Sequence, residues 1–254
     1  MTAHVLADTG VLTGRSLRHI LRSPDTIITT VVTPLALMLL FVYVFGGAIN
    51  TGTGGSYVNY LLPGILLITI ASGVAYTAYR LFLDLQGGIF ERFQSMPVAR
   101  SNVLWAHVLT SLAANLASVA AVVAVALVMG FRTGASVGAW LAVVGILVLF
   151  TLALTWIAVI AGLSAKTVDG ASAFSYPLIF LPFISSAFVP TDSMPGPVAW
   201  FAENQPVTSV VNTLRALFAQ EPVGSDIWVA LAWLGGILVA AYLAATAIYR
   251  RRVT

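Results

Sequence analysis

The chain has 254 residues, 59% of them hydrophobic and only 8% charged, with a formal net charge of +3 and a mean hydropathy of +0.96. Soluble domains carry roughly 25% charged residues, so too little polar surface remains to coat a water-soluble globule, and such hydrophobicity excludes disorder. The absence of cysteine excludes thiol catalysis, cysteine-ligated metal and a disulfide framework. The chain reads as an all-α integral membrane protein.

In chain order, the first element covers residues 10–22. At about 100° per residue, Arg15, Arg18 and Arg22 fall within a stripe of roughly 60°, with Leu17, Ile20 and Leu21 opposite. This predicts an amphipathic helix lying along a membrane surface, ended by Ser23-Pro24. The same arginines also serve topology alone. Between Thr26 and Tyr79 there is no Asp, Glu, Lys or Arg, and the Gly/Asn/Ser-rich Ile49–Ser56 divides that stretch into spans at 26–48 and 57–80. Further uncharged runs place spans at 102–130, 138–163, 171–189 and 227–249, six in all, each matched to a hydrocarbon core of roughly 30 Å.

Two connections are more than turns. Residues 84–100 carry Asp84, the pair Gly87-Gly88 that ends the preceding helix, then Phe90, Glu91, Arg92, Phe93, Pro97 and Arg100. Ile89–Ser95 is expected to form a short helix with Ile89, Phe90 and Phe93 on one side, stopped by Pro97. Exposed rings flanked by charge suit a docking element; the alternative is a helix buried against its own neighbours. The other connection, 190–225, follows a span that Pro177 and Pro182 should kink or break. Pro190, Pro195 and Pro197 predict extended chain, and a helix starts at Pro206 with Asn204 as its cap. Its Val207, Val210, Val211, Leu214, Leu217 and Phe218 keep amphipathic spacing, which places it in the membrane interface, dipping back into it, or capping the bundle.

Basic residues set the orientation. With six spans, both termini share a side with the loops near 80–100 and 164–169, and that side holds ten of the twelve basic residues, leaving Arg132 and Arg215 opposite. Both termini are therefore expected in the cytoplasm, and the basic pI near 9.4 reflects topology rather than nucleic-acid binding. The apolar run after Arg22 is a full span, not the shorter core of a cleavable signal. No span core carries a carboxylate or amine of the kind that ion-coupled carriers use. His107, near a span's end, reads as a satisfied hydrogen-bonding residue, and His4, His19 and His107 are too scattered for a metal site. Lys166-Thr167 follows Ala165 where a phosphate loop requires glycine, so if transport is energised the energy must come from another subunit.

Several motifs run in order: Arg22-Ser-Pro24, Thr33-Pro34, Phe45-Gly46-Gly47, Tyr60-Leu-Leu-Pro63-Gly64-Ile65, and Asp84-x-x-x-Gly88-x-x-Glu91-Arg92-x-x-x-x-Pro97-x-x-Arg100. Phe188-Val-Pro190, Met194-Pro195, Asn204-Gln205-Pro206-Val207-Thr208 and Leu214-Arg215-Ala216-Leu217 follow. In these the chain resembles a type-2 ABC exporter permease, the branch that includes daunorubicin-resistance permeases of actinobacteria. The family's usual Asn-Pro before the last external helix is Asn204-Gln205-Pro206 here. The resemblance implies six membrane helices, a second permease (identical or homologous) and two cytoplasmic ATPase subunits that hold ATP and magnesium, with no cofactor on this chain. It implies an interface helix bearing Arg15, Arg18 and Arg22, a coupling helix within 84–100, and re-entrant helices between spans 5 and 6. The bacterial plasma membrane is its implied location.

The function expected is therefore a non-catalytic permease subunit that forms a path for hydrophobic drug-like or lipid-like cargo. Alternatives are export of a lipid-linked glycan, an ATPase-independent channel or facilitator, and a membrane scaffold. Phe41, Phe45, Tyr60, Tyr76, Phe174, Tyr176 and Phe180 are candidate path residues; aromatic rings at such depths either line an apolar route or face lipid in interfacial belts.

Overall fold

The computed structural model describes residues 28–46, 56–87 and 101–253, and every regular element among them is a helix. α1 (Thr33–Leu39) is flanked by π-helical turns, Ile28–Val32 and Leu40–Phe45. The first π turn has a cause in Pro34, at the start of α1, whose ring crowds the preceding turn and which offers no N–H. Three long helices follow: α2 (Tyr57–Gln86), α3 (Ser101–Val128) and α4 (Val137–Ser164). Then come the short helices α5 (Val168–Ala173) and α6 (Ser175–Phe180), and the 3-10 turns Leu181–Ile184 and Thr191–Ser193. α7 (Gly196–Asn204), α8 (Pro206–Ala219) and the long α9 (Asp226–Val253) complete the chain.

Four of the expected spans, in α2, α3, α4 and α9, are helices long and apolar enough to cross a membrane. The other two are shorter apolar helices, Thr30–Phe45 and Val168–Ile184. The span placed at 171–189 is broken where its prolines dictate. Pro177 cannot donate to the carbonyl of Ala173, the last residue of α5, and Pro182 sits where the chain tightens into a 3-10 turn.

α2 forms the centre, packed against α1, α3, α4, α5, α6 and α8, and it is buried along nearly all its length. That follows from a sequence apolar around its whole circumference. Small residues let neighbours approach. A Cβ on Gly162 of α4 would stand 2.9 Å from the carbonyl oxygen of Ala78, and one on Gly64 would stand 2.6 Å from Ala187 Cβ. One apolar cluster, around Leu81, Leu104, Trp156, Leu163 and Ala245, holds together the ends of α2, α3, α4 and α9 near Arg80, Lys166 and Arg250, here called the basic end. A larger cluster reaches the opposite, capped end through Tyr57, Phe131, Val143, Leu214 and Phe218.

At the capped end α8 folds onto the bundle. Val207, Val210, Val211, Leu214 and Phe218 are buried, as their spacing predicted, and α8 packs on α9, α4 and α2. Packing of α8 against three helices is common to a cap and to a helix that dips back toward the membrane. Two local expectations are corrected. The N-cap of α8 is Gln205, whose Oε1 accepts from Val207 N at 3.0 Å, while Asn204 ends α7 and donates to the carbonyl of Trp200. A cap must stand directly before the first helical residue, and Pro206 fixes that residue. Pro190 and Pro195 are extended as expected, but Pro197 lies in the first turn of α7, a position that has no use for its missing N–H.

Candidate functional site: two ends and a polar seam

At the basic end, α2 continues past Arg80 and stops at Gly87, whose N–H bonds the carbonyl of Leu83 at 2.8 Å. Gly87 thus terminates the helix as its position predicted. Asp84 lies one turn earlier and is bound within the chain: its Oδ2 is 3.1 Å from His107 Nε2 on α3, both groups largely buried. His107 is therefore a satisfied residue, and its partner is a carboxylate that sequence reasoning had assigned to docking. Arg80 lies 5.9 Å from the Tyr76 ring, and its Nη1 is buried without a hydrogen-bond partner. The interface-helix residues Arg15, Arg18 and Arg22 lie outside the described residues, as do Gly88, Phe90, Glu91, Arg92, Phe93, Pro97 and Arg100.

Between the ends, a polar seam crosses the apolar interior. Ser111 on α3 is its hub, accepting from Thr77 Oγ1 of α2 at 2.9 Å and lying 3.2 Å from Thr155 Oγ1 of α4. Asn115, one turn on, donates to the Ser111 carbonyl at 2.9 Å. Its Oδ1 is buried without a partner and faces Gly73, where any Cβ would collide with it. In hydrocarbon such hydroxyls and amides have no water to turn to, so they bind helices to one another. Sequence reasoning missed this seam. Its trace was Ser111 and Asn115 at i, i+4 in an otherwise apolar run, with Thr77 and Thr155 at matching depth.

The candidate path residues separate into groups. Phe41, Phe45 and Phe180 join one aromatic cluster with Phe183 and Phe188: Phe41 stacks on Phe188 at 4.7 Å between centroids, Phe183 on Phe188 at 4.9 Å, and Phe180 lies 6.2 Å from Phe183. Phe41 and Phe45 are 5.6 Å apart. Tyr176 and Phe180 each expose 61% of their surface, and Phe174 is half-buried against the core. Tyr76 stands apart, beside Tyr79 at 5.9 Å. Tyr60 is buried and already engaged: the Arg215 guanidinium lies 3.8 Å above its ring.

Arg215, in sequence a topology mark and a member of the Leu214-Arg215-Ala216-Leu217 motif, has contacts that neither reading foresaw. It projects from α8 and donates to the carbonyls of Tyr60 (Nη2, 3.2 Å) and Ser186 (Nη2, 2.9 Å) and to Asn212 Oδ1 (Nη1, 3.2 Å). Pro63 within α2 removes the helical donor for the carbonyl of Asn59, and the next carbonyl, that of Tyr60, is the one to which Arg215 donates. Burial pushes the guanidinium below its ordinary value, opposed by Tyr60, and no carboxylate pairs with it among the described residues. Nearby, Asn59 holds the α3–α4 turn by exchanging two hydrogen bonds with the backbone of Arg132, at 3.0 and 3.1 Å. Arg132 Nη1 donates to the carbonyls of Leu127 and Phe131. A cavity of about 200 Å³ opens between these groups, with Phe218 and Glu221 on its wall.

Comparison with known proteins places this architecture. The model of the ABC-2 type transporter family matches residues 7–219. A daunorubicin resistance ABC transporter permease protein of Streptomyces coeruleorubidus is 30% identical over 201 residues, covering 76% of this chain and 69% of the relative. A probable doxorubicin resistance ABC transporter permease protein of Mycobacterium tuberculosis is 26% identical over 252 residues, covering 98% of this chain and 90% of the relative.

Proposed function

This chain belongs to the ABC-2 type transporter family, and on that premise we propose that it is the permease subunit of an ATP-driven exporter of hydrophobic, drug-like molecules. The observation that carries the reading is the extent of the match, which runs from the arginine-bearing N-terminal segment through the 84–100 connection to the end of α8. The relatives are named for resistance to daunorubicin and doxorubicin, which supports a drug-like cargo. The proposed assembly has two permeases and two cytoplasmic ATPase subunits, which bind ATP and magnesium. The basic end, with ten of twelve basic residues on its side, faces the cytoplasm of a bacterial plasma membrane, as do both termini. Six spans cross it, the first and fifth being the short or broken ones.

In this reading residues 10–22 rest on the ATPase and Gly88–Met96 enters it. Phe90 and Phe93 fill a pocket there, while Glu91, Arg92 and Arg100 orient the contact. Asp84 acts from behind, fixing the start of the connection through His107. The exposed members of the phenylalanine cluster, Phe45 and Phe180, offer an apolar wall to the second permease and to cargo, backed by Phe41, Phe183 and the buried Phe188, and an uncharged wall suits cargo without fixed charge.

The test is transport in inside-out vesicles from cells expressing the chain with and without a co-expressed ABC ATPase subunit. Doxorubicin is expected to accumulate, seen as fluorescence quenching, only with ATP and only when both proteins are present. Equal accumulation without ATP or without the ATPase would make the chain a facilitator and end the reading.

A further inference from the structure

We infer that the cavity between α2, α8 and the α3–α4 turn binds a monoanionic phosphate group, supplied either by the phosphodiester of a membrane lipid at the capped end or by inorganic phosphate. This site is separate from the transport reading and does not depend on it. Size is the first argument. About 200 Å³ falls below the roughly 300–1,000 Å³ of pockets that enclose drug-sized ligands, so the cavity suits a headgroup rather than cargo.

Charge is the second argument. Arg132, Arg215 and Glu221 line the cavity, two guanidinium groups against one carboxylate, so the lining itself carries one excess positive charge, while Asp192 acts on Tyr60 from beyond the wall. A phosphodiester cancels that excess, whereas a dianion would overshoot beside Glu221. Arg215 makes all its described hydrogen bonds to neutral oxygens, so its charge is solvated by dipoles and not neutralised. A partly desolvated cation in that state gains from a nearby anion. The recorded hydrogen bonds of Arg132 use Nη1 on the turn's own carbonyls, and a guanidinium has further donors suited to the two-oxygen edge of a phosphate.

Position is the third argument. Tyr60, Phe131 and Phe218 give the cavity an apolar wall for the carbons next to a phosphodiester. Around the same end Val128, Val137 and Trp228 are exposed at the ends of α3, α4 and α9, and exposed tryptophan at a span's end marks the headgroup level.

The experiment uses the full chain purified in detergent and stripped of lipid. Three probes are offered: phosphatidylglycerol, diacylglycerol with the same acyl chains, and inorganic phosphate. Binding is read by native mass spectrometry and by the rise in Tm. Phosphatidylglycerol is expected to bind at least about tenfold more tightly than diacylglycerol, and Arg132→Gln to remove about that factor. Glu221→Gln should tighten binding, and it remains a test if Arg132→Gln does not fold. Preference for phosphatidylglycerol over inorganic phosphate assigns the lipid source, and tight binding of inorganic phosphate that Arg132→Gln abolishes assigns the free one. Equal binding of phosphatidylglycerol and diacylglycerol overturns the inference, as does unchanged phosphatidylglycerol binding in a folded Arg132→Gln or in Glu221→Gln.

Discussion

Asp84 and His107 belong to different helices and meet at 3.1 Å, close to where α2 gives way to the 84–100 connection. Because each is the other's partner, removing either should cost much the same as removing both. A double-mutant cycle of Asp84→Ala and His107→Ala, read by thermal unfolding of the purified protein, should give a coupling of about 0.5–3 kcal/mol; additive losses would deny the pair. Gln205 illustrates a second residue-scale point. It caps α8 through Oε1 and, through Nε2, donates to the carbonyl of Ile184 at 3.2 Å. Gln205→Ala should destabilise by about 0.5–2 kcal/mol, seen as a lower Tm, whereas Asn204→Ala, with no cap to lose, should change it less. The one-residue departure from the family's Asn-Pro was visible in the sequence. Its consequence was not, because a cap is defined by which side-chain oxygen faces the open amides, and spacing alone does not report that.

Among the elements, the three central helices and α9 were legible because hydropathy and length suffice to define them. So was the break in the fifth apolar stretch, since Pro177 and Pro182 act on the carbonyls four residues before them whatever surrounds them. The burial of α8 followed from its spacing, but what covers it did not: Val207 and Leu214 would look the same against lipid as against α9. The polar seam was illegible for a related reason. Thr77, Ser111 and Thr155 are common residues in apolar helices, and only the packing brings their hydroxyls within hydrogen-bond reach. Close packing at these helices makes a prediction. Gly162→Val would push a side chain into the Ala78 carbonyl, and overpacking of this kind costs about 1–3 kcal/mol, measurable as a fall in Tm with insertion into the membrane retained.

For the molecule as a whole, the proposed orientation can be checked cleanly because the chain has no cysteine. A single Ser225→Cys at the capped end should react with a membrane-impermeant maleimide on intact cells, and Thr254→Cys should react only after lysis; the reverse pattern would invert the topology. In the proposed assembly, Gly88→Pro and Glu91→Ala should abolish cargo-stimulated ATP hydrolysis while all spans still insert, and normal stimulation in both would remove the docking role. The seam through Thr77, Ser111 and Thr155 bears on how such coupling would travel. A force applied between Gly87 and Ser101 does not meet one helix that can slide alone, because α2, α3 and α4 are stapled midway. In the proposed assembly the three would tilt together as a lever, and α2, roughly 45 Å long at 1.5 Å per residue, would carry the stroke to a far tip held by Arg215 at Tyr60. The cap that hangs on that clasp would then swing with the tip or let go of it.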